Sequence, residues 1–266
     1  MGFRFSPLYS SSSGNATFVA TEKTSILIDA GTTGSALEAA FSSLGEKTAA
    51  LSAILVTHEH TDHIKGVGVL SRRYDIPVYA NAKTWEAMQH KIGEIAVKNI
   101  RIIETEKEFY IDDICISPFS LSHDAADPLG YAIMSGNKKV GVLTDTGRVT
   151  NKMLNALDGA SLVLLESNHD IEMLQNGIYP YYLKKRILST KGHLSNVDAG
   201  VACLELLKRG VKEVILGHIS SKNNHKQLAY DTVCGSLDDS GVIVGKDIDV
   251  RAARRTGVTD LFLLKE

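Results

Sequence analysis

The chain has 266 residues, 44% of them hydrophobic and 23% charged, with a formal net charge of −2. That size allows a large buried core, and the near-neutral balance excludes a surface broadly coated with nucleic acid, so any polyanion contact is expected to be local. No run approaches the ~20 apolar residues of a membrane span, no signal peptide or low-complexity linker is expected, and three scattered cysteines without paired spacing fit a reducing, cytoplasmic compartment.

In chain order, strand-like pieces from Phe3 to Leu8 and from Ala16 to Ala20 flank a run of hydroxyls, Tyr9-Ser10-Ser11-Ser12-Ser13-Gly14-Asn15. A strand around Ile26 ends in Asp29-Ala30-Gly31, where the glycine lets the chain turn, and a helix is predicted from Thr33 to Leu44. The apolar run Ser52 to Val56 then delivers Thr57-His58-Glu59-His60-Thr61-Asp62-His63, three imidazoles and two carboxylates in seven residues. Alternation puts His58 and His60 on the same side of an extended loop, while Asp62 and His63 can turn toward a second ion. Neutral imidazole with carboxylate suits zinc, manganese or iron rather than calcium. Glu59 and Thr61 lie between these groups and are expected to be solvated. Helices are predicted from Ile64 to Tyr74 and from Lys83 to Ile92.

Two ions need more ligands than one loop supplies. Strand-like runs around Ile114, Val142 and Ile215 end just before His123, Asp145 and His218, so each reaches a sheet rim in the same way. A helix from Thr150 to Leu157 follows Asp145, and a further strand around Leu164 ends in Glu166-Ser167-Asn168-His169-Asp170. From Asn176 to Ile187 three tyrosines stand beside Lys184, Lys185 and Arg186, with no acid between Met173 and His193. Either this is a local nucleic-acid footprint or it is a solvated basic turn with its tyrosines packed on the core. Gly192-His193-Leu194-Ser195-Asn196 opens a helix running to Arg209, capped by Ser195 or Asn196. Its amides suit a phosphate, as those of any capped helix do. His169, Tyr182, Lys184, Arg186, Ser195 and Asn196 are thus candidate substrate contacts. A second basic stretch runs from Ser221 to Lys226, and Gly241 to Val250 reads as further strand.

The order Asp, His-x-His-x-Asp-His, His, Asp, His resembles the metallo-β-lactamase superfamily, and the likeness spans nearly the whole chain. The resemblance implies an α/β fold, a four-layer αββα sandwich forming a single hydrolase domain over 1–266. It implies one divalent ion on His58, His60 and His123, another on Asp62, His63 and His218, and Asp145 bridging, with Asp29 bracing the loop. In nuclease members a Glu pairs with a later His that touches the scissile phosphate, and here those are Glu166 and His193. A carboxylate orients the imidazole and favours its cation.

The serine loop, the Glu-Ser-Asn-His stretch and the segment Tyr-Pro-x-x-Leu-Lys-x-Arg…Gly-His-Leu-Ser-Asn look like the YycJ (WalJ) type of bacterial protein with this fold. That likeness implies a 5′ to 3′ exonuclease on double-stranded DNA, with links to DNA repair. The expected chemistry is attack by a hydroxide that two metal ions activate, with Asp62, Asp145, Glu166 and His193 in catalytic roles. An aspartate at 145, where the commonest zinc β-lactamases carry cysteine, disfavours antibiotic hydrolysis. The 47 residues from Asp145 to His193 leave no room for the cap of the RNA-cutting relatives. A hydrolase of small phosphodiesters or thioesters and a noncatalytic, metal-stabilised regulatory module are the rival readings. Metal identity and oligomeric state are open at this level.

Overall fold

The structure, a computed structural model, describes residues 2–265. They form two compact units, one of residues 2–120, 125–138 and 254–265, the other of residues 121–124 and 139–253. In the first unit, β1 (Gly2–Ser11) and β2 (Gly14–Ala20) pair antiparallel across the serine turn, and β3 (Ser25–Ile28) joins β2 antiparallel. Helix α1 (Gly34–Ser43) starts where the Thr33 side chain accepts the Ala36 amide. Next comes β4 (Ala53–Leu55), parallel to β3 with Ile28 opposite Leu55, so the residues after both strands emerge at one edge. That shared edge is what brings Asp29 to Thr57.

The single helix expected from Ile64 to Tyr74 is two, α2 (Thr61–Ile64) and α3 (Val67–Tyr74), interrupted at Gly66. A Cβ on Gly66 would fall 2.6 Å from the Thr32 carbonyl oxygen, so the chain passes too close there for a continuous helix carrying side chains. Parallel strands β5 (Val78–Asn81) and β6 (Ile100–Ile103) follow, with α4 (Ala82–Ile92) between them, capped by Asn81. An antiparallel ladder of β7 (Phe109–Ile111), β8 (Ile114–Ser120) and β9 (Leu129–Ser135) completes this stretch. Phe18, Phe41, Leu37, Ile54 and Leu70 lie in its core, all almost fully buried, each contributing about 1.5–3 kcal/mol by leaving water.

The second unit is built on four parallel strands in sequence order: β10 (Lys138–Leu143), β11 (Leu162–Glu166), β12 (Glu213–Gly217) and β13 (Asp249–Ala252). Leu162 to Leu165 are buried without alternation, as strands covered on both faces require. The connections are α5 (Asn151–Ala156), α6 (Ile171–Asn176), α7 (Tyr181–Ile187), α8 (Asn196–Lys208) and α9 (Lys226–Asp238). Ser195, not Asn196, caps α8, accepting the Asp198 amide. The expected strand from Gly241 to Val250 is mostly turn: Gly241 and Gly245 have φ of 76° and 84°, Val244 and Ile248 form an isolated bridge, and the strand proper begins at Asp249. Strand β14 (Phe262–Lys265) belongs to the first unit, antiparallel to β1. No helix among the described residues is long and apolar enough to cross a membrane.

Candidate functional site

Each unit carries part of the set of residues singled out in the sequence. In the first, Asp29 lies one residue past β3 with φ 59°, a left-handed conformation that aspartate tolerates better than most side chains. Its Oδ1 accepts the Thr57 amide and its Oδ2 the Thr57 hydroxyl, both at 2.8 Å, and Oδ2 also accepts His63 Nδ1 at 2.7 Å. With Nδ1 carrying the proton, His63 Nε2 keeps its lone pair, which receives the Asn15 amide at 3.0 Å.

The same loop presents two pairs of donor atoms. His58 Nε2 and His60 Nδ1 are 3.0 Å apart. Two nitrogens on one tetrahedral zinc at 2.0–2.1 Å would be roughly 3.3 Å apart, so the pair fits a chelating bite. Asp62 Oδ2 and His63 Nε2, 3.7 Å apart, form the second pair. Gly31 is not in a left-handed turn; what it supplies is clearance. A Cβ there would meet the Asp62 carbonyl oxygen at 1.6 Å, while its amide donates to the Asn15 carbonyl at 2.8 Å. Glu59 is buried rather than solvated, and its Oε1 accepts the Ala126 amide at 2.9 Å.

In the second unit the strand registers set Leu143 opposite Leu165 and Glu166 opposite Gly217, so Asp145, Glu166 and His218 arrive at one carboxyl edge. Asp145, Glu166, His193 and His218 each place a ligand atom within 4.8 Å of the others'. Asp145 and His218 both have positive φ, 60° and 51°, backbone cost that tends to collect at functional sites. His218 Nδ1 donates to Asp145 Oδ2 at 2.9 Å, and His123 Nδ1 donates to the Gly192 carbonyl at 3.0 Å. Tethering Nδ1 fixes the tautomer that offers Nε2 to a metal. Burial holds His123 below the usual imidazole range and so keeps it neutral.

Glu166, fully buried, accepts His193 Nδ1 at 2.7 Å on Oε1 and the Thr146 amide at 2.8 Å on Oε2. The His193 side chain is 16% exposed. Thr57, Asn15, Thr146 and Gly192 were missed from the sequence; only adjacency to His58 and His193 marks Thr57 and Gly192 there, and the serine-rich loop hides Asn15.

The remaining candidates separate. Ser195 and Asn196 are buried; the first caps α8 and the second accepts the Ser167 hydroxyl at 2.7 Å and exchanges bonds with Asn224. His169 is 1% exposed, neither ring nitrogen has a partner among the described residues, and burial lowers its pKa to about 4. Tyr182 is exposed, not packed on the core. Arg186 forms a two-point ion pair with Asp124, and Lys184 donates to the Gln175 carbonyl at 2.8 Å. The basic stretch after His218 turns inward at Asn223 and Asn224, and His225 caps α9.

Comparison with known proteins agrees with this geometry. Residues 24–219 match the family described as the β-lactamase superfamily domain. The chain is 44% identical over 250 residues to the exodeoxyribonuclease YycJ of Bacillus anthracis, covering 94% of this chain and 95% of that one. It is 42% identical over 252 residues to the exodeoxyribonuclease WalJ of Streptococcus pneumoniae serotype 2, covering 94% of each. Among solved structures, the metallo-β-lactamase fold protein YhfI from Bacillus subtilis superimposes with a TM-score of 0.71 at 14% identity, over 97% of this chain and 99% of that one. The chain therefore belongs to the metallo-β-lactamase superfamily and, within it, to the family of YycJ and WalJ.

Proposed function

We propose that the protein, acting over residues 1–266 as one hydrolase, is a metal-dependent exodeoxyribonuclease that removes nucleotides from double-stranded DNA in the 5′ to 3′ direction, in the cytoplasm and in the service of DNA repair. The observation that carries this reading is the Glu166–His193 pair at 2.7 Å, set at the same strand ends as Asp145 and His218. A thioester needs no such imidazole, whereas a phosphodiester has an anionic oxygen to bind and a leaving oxygen to protonate.

His58, His60 and His123 are assigned to one ion, Asp62, His63 and His218 to another, and Asp145 to both; these donors accept zinc, manganese or iron. Bound divalent ions supply Lewis acidity, lowering the pKa of water and neutralising phosphate charge. The chain's own groups do the rest. Asp29 orients His63, and the Gly192 carbonyl orients His123, each by taking the Nδ1 proton. Asp62 and Asp145 bring the negative charge of the donor set. Glu166 accepts the Nδ1 proton of His193; with a second proton on Nε2 the ring donates to a phosphate oxygen or hands that proton to the leaving oxygen.

The test is digestion of end-labelled duplex DNA, with and without a 5′-phosphate, in Mn²⁺ and in Zn²⁺, beside the Asp145→Ala protein. Release of mononucleotides from the 5′ end that disappears in the variant is expected, with activity falling steeply as salt rises. Absence of cleavage under either metal, with turnover of a small phosphodiester or thioester, would overturn the reading.

A further inference from the structure

Helix α7 is bare at one end and clamped at the other. Tyr181 is 80% exposed, Tyr182 74%, and Ile178, just before the helix, 84%. Three large apolar side chains within five residues make a patch rather than the scattered exposure of an ordinary surface. At the far end Ile187 is buried and its carbonyl accepts the His193 amide at 3.0 Å. A Cβ on Gly192 would fall 2.1 Å from that oxygen, so the His193 loop lies directly on the last turn of α7. Arg186, in the same turn, is paired with Asp124, the neighbour of His123.

The six steps from Tyr181 to Ile187 span about 9 Å at 1.5 Å per residue, or two to three base-pair rises. Lys184, Lys185, Arg186 and Lys191 carry positive charge, and no acid lies between Met173 and His193. Charge and rings together suit a polyanion with planar bases. Aromatic faces accept every base alike, as a nuclease that takes each nucleotide in turn requires. His193 is mostly enclosed, and Asp145 and Glu166 are buried, so the reacting phosphodiester has to be drawn inward, which a frayed single strand allows more readily than a fully paired end.

We propose that Ile178, Tyr181 and Tyr182 form a wedge that stacks on the terminal bases of a DNA end and separates the last base pairs, presenting one strand to His193. This rests on the reading of the protein as a nuclease acting on DNA ends. The wedge is sequence-independent, and its distance from His193 is fixed by the bond between Ile187 and His193.

The experiment compares wild type with a Tyr181→Ala/Tyr182→Ala variant on two duplexes, one paired to its end and one whose last three pairs are mismatched. Circular dichroism and metal content check that the variant is folded and loaded. The variant should lose about tenfold or more on the paired end, the scale of one lost base–aromatic stack, and recover most of that loss on the splayed end. Equal rates for variant and wild type on paired ends, or equal losses on both substrates, overturn the wedge while leaving the nuclease reading intact. Failure of the wild type on both DNAs removes the nuclease reading and the wedge with it.

Discussion

Glu166 and His193 meet at 2.7 Å across 27 residues of sequence, and the glutamate's other oxygen is held by the Thr146 amide, so the imidazole is fixed by a carboxylate that cannot itself swing away. Glu166→Gln keeps the shape and removes the charge. Turnover should fall by roughly 10- to 100-fold, the usual scale for losing an orienting partner, with little change in melting temperature. The loss should fall on kcat rather than on KM; an unchanged rate would show that the pair is structural only.

Gly31→Ala tests clearance. Its Cβ would meet the Asp62 carbonyl oxygen at 1.6 Å, so the metal loop must shift. Metal retained after dialysis, read by atomic emission, should drop together with activity, and stability should fall by about 1–3 kcal/mol.

Asp29→Asn separates the brace from the backbone conformation, since asparagine also tolerates φ near 59°. The amide keeps the oxygen for Thr57 but cannot accept from His63 Nδ1 through its NH₂. Metal affinity should weaken by about 10- to 100-fold, measured by competition with a chromophoric chelator, with the fold intact by circular dichroism.

His169 gives a pH signature. Burial lowers its pKa to about 4, against ~6.5 in an unfolded chain. Between those values the unfolded state binds a proton that the folded state refuses, so stability is full above about pH 6.5 and declines as pH falls toward 4. The total is about 3 kcal/mol. Urea midpoints taken from pH 7.5 to 4.5 should decline in wild type and decline less in His169→Phe; parallel curves would refute the assignment.

Much of this was readable before the structure because the chemistry sits where strands end. Asp29, His58, His123, Asp145, Glu166 and His218 each follow an apolar run, and parallel pairing then has only one edge on which to gather those from neighbouring strands. What escaped was set by long-range packing. Gly66 is a local breaker signal, but the close approach of the Thr32 carbonyl that leaves no room for a side chain there is long-range in sequence and invisible before folding. Gly241 to Val250 is rich in β-branched residues like a strand, yet its glycines take left-handed turns. Exposure of Tyr181 and Tyr182 follows from which face of a short helix is left uncovered, and the sequence left both that outcome and its opposite open.

Asp29, Asp145 and His218 all hold left-handed backbone without being glycine. Each such residue costs about 1 kcal/mol relative to glycine, so the chain forgoes some of its thermal tolerance at the three positions whose side chains it most needs. Glycine at 29 or 145 would relieve that cost but would remove the buried acceptor of Thr57 and His63 or of His218, a loss of about 1–3 kcal/mol for each bond, so a screen for heat resistance alone should keep these side chains rather than discard them. Durability and activity in this protein therefore lean on the same hydrogen bonds at these positions.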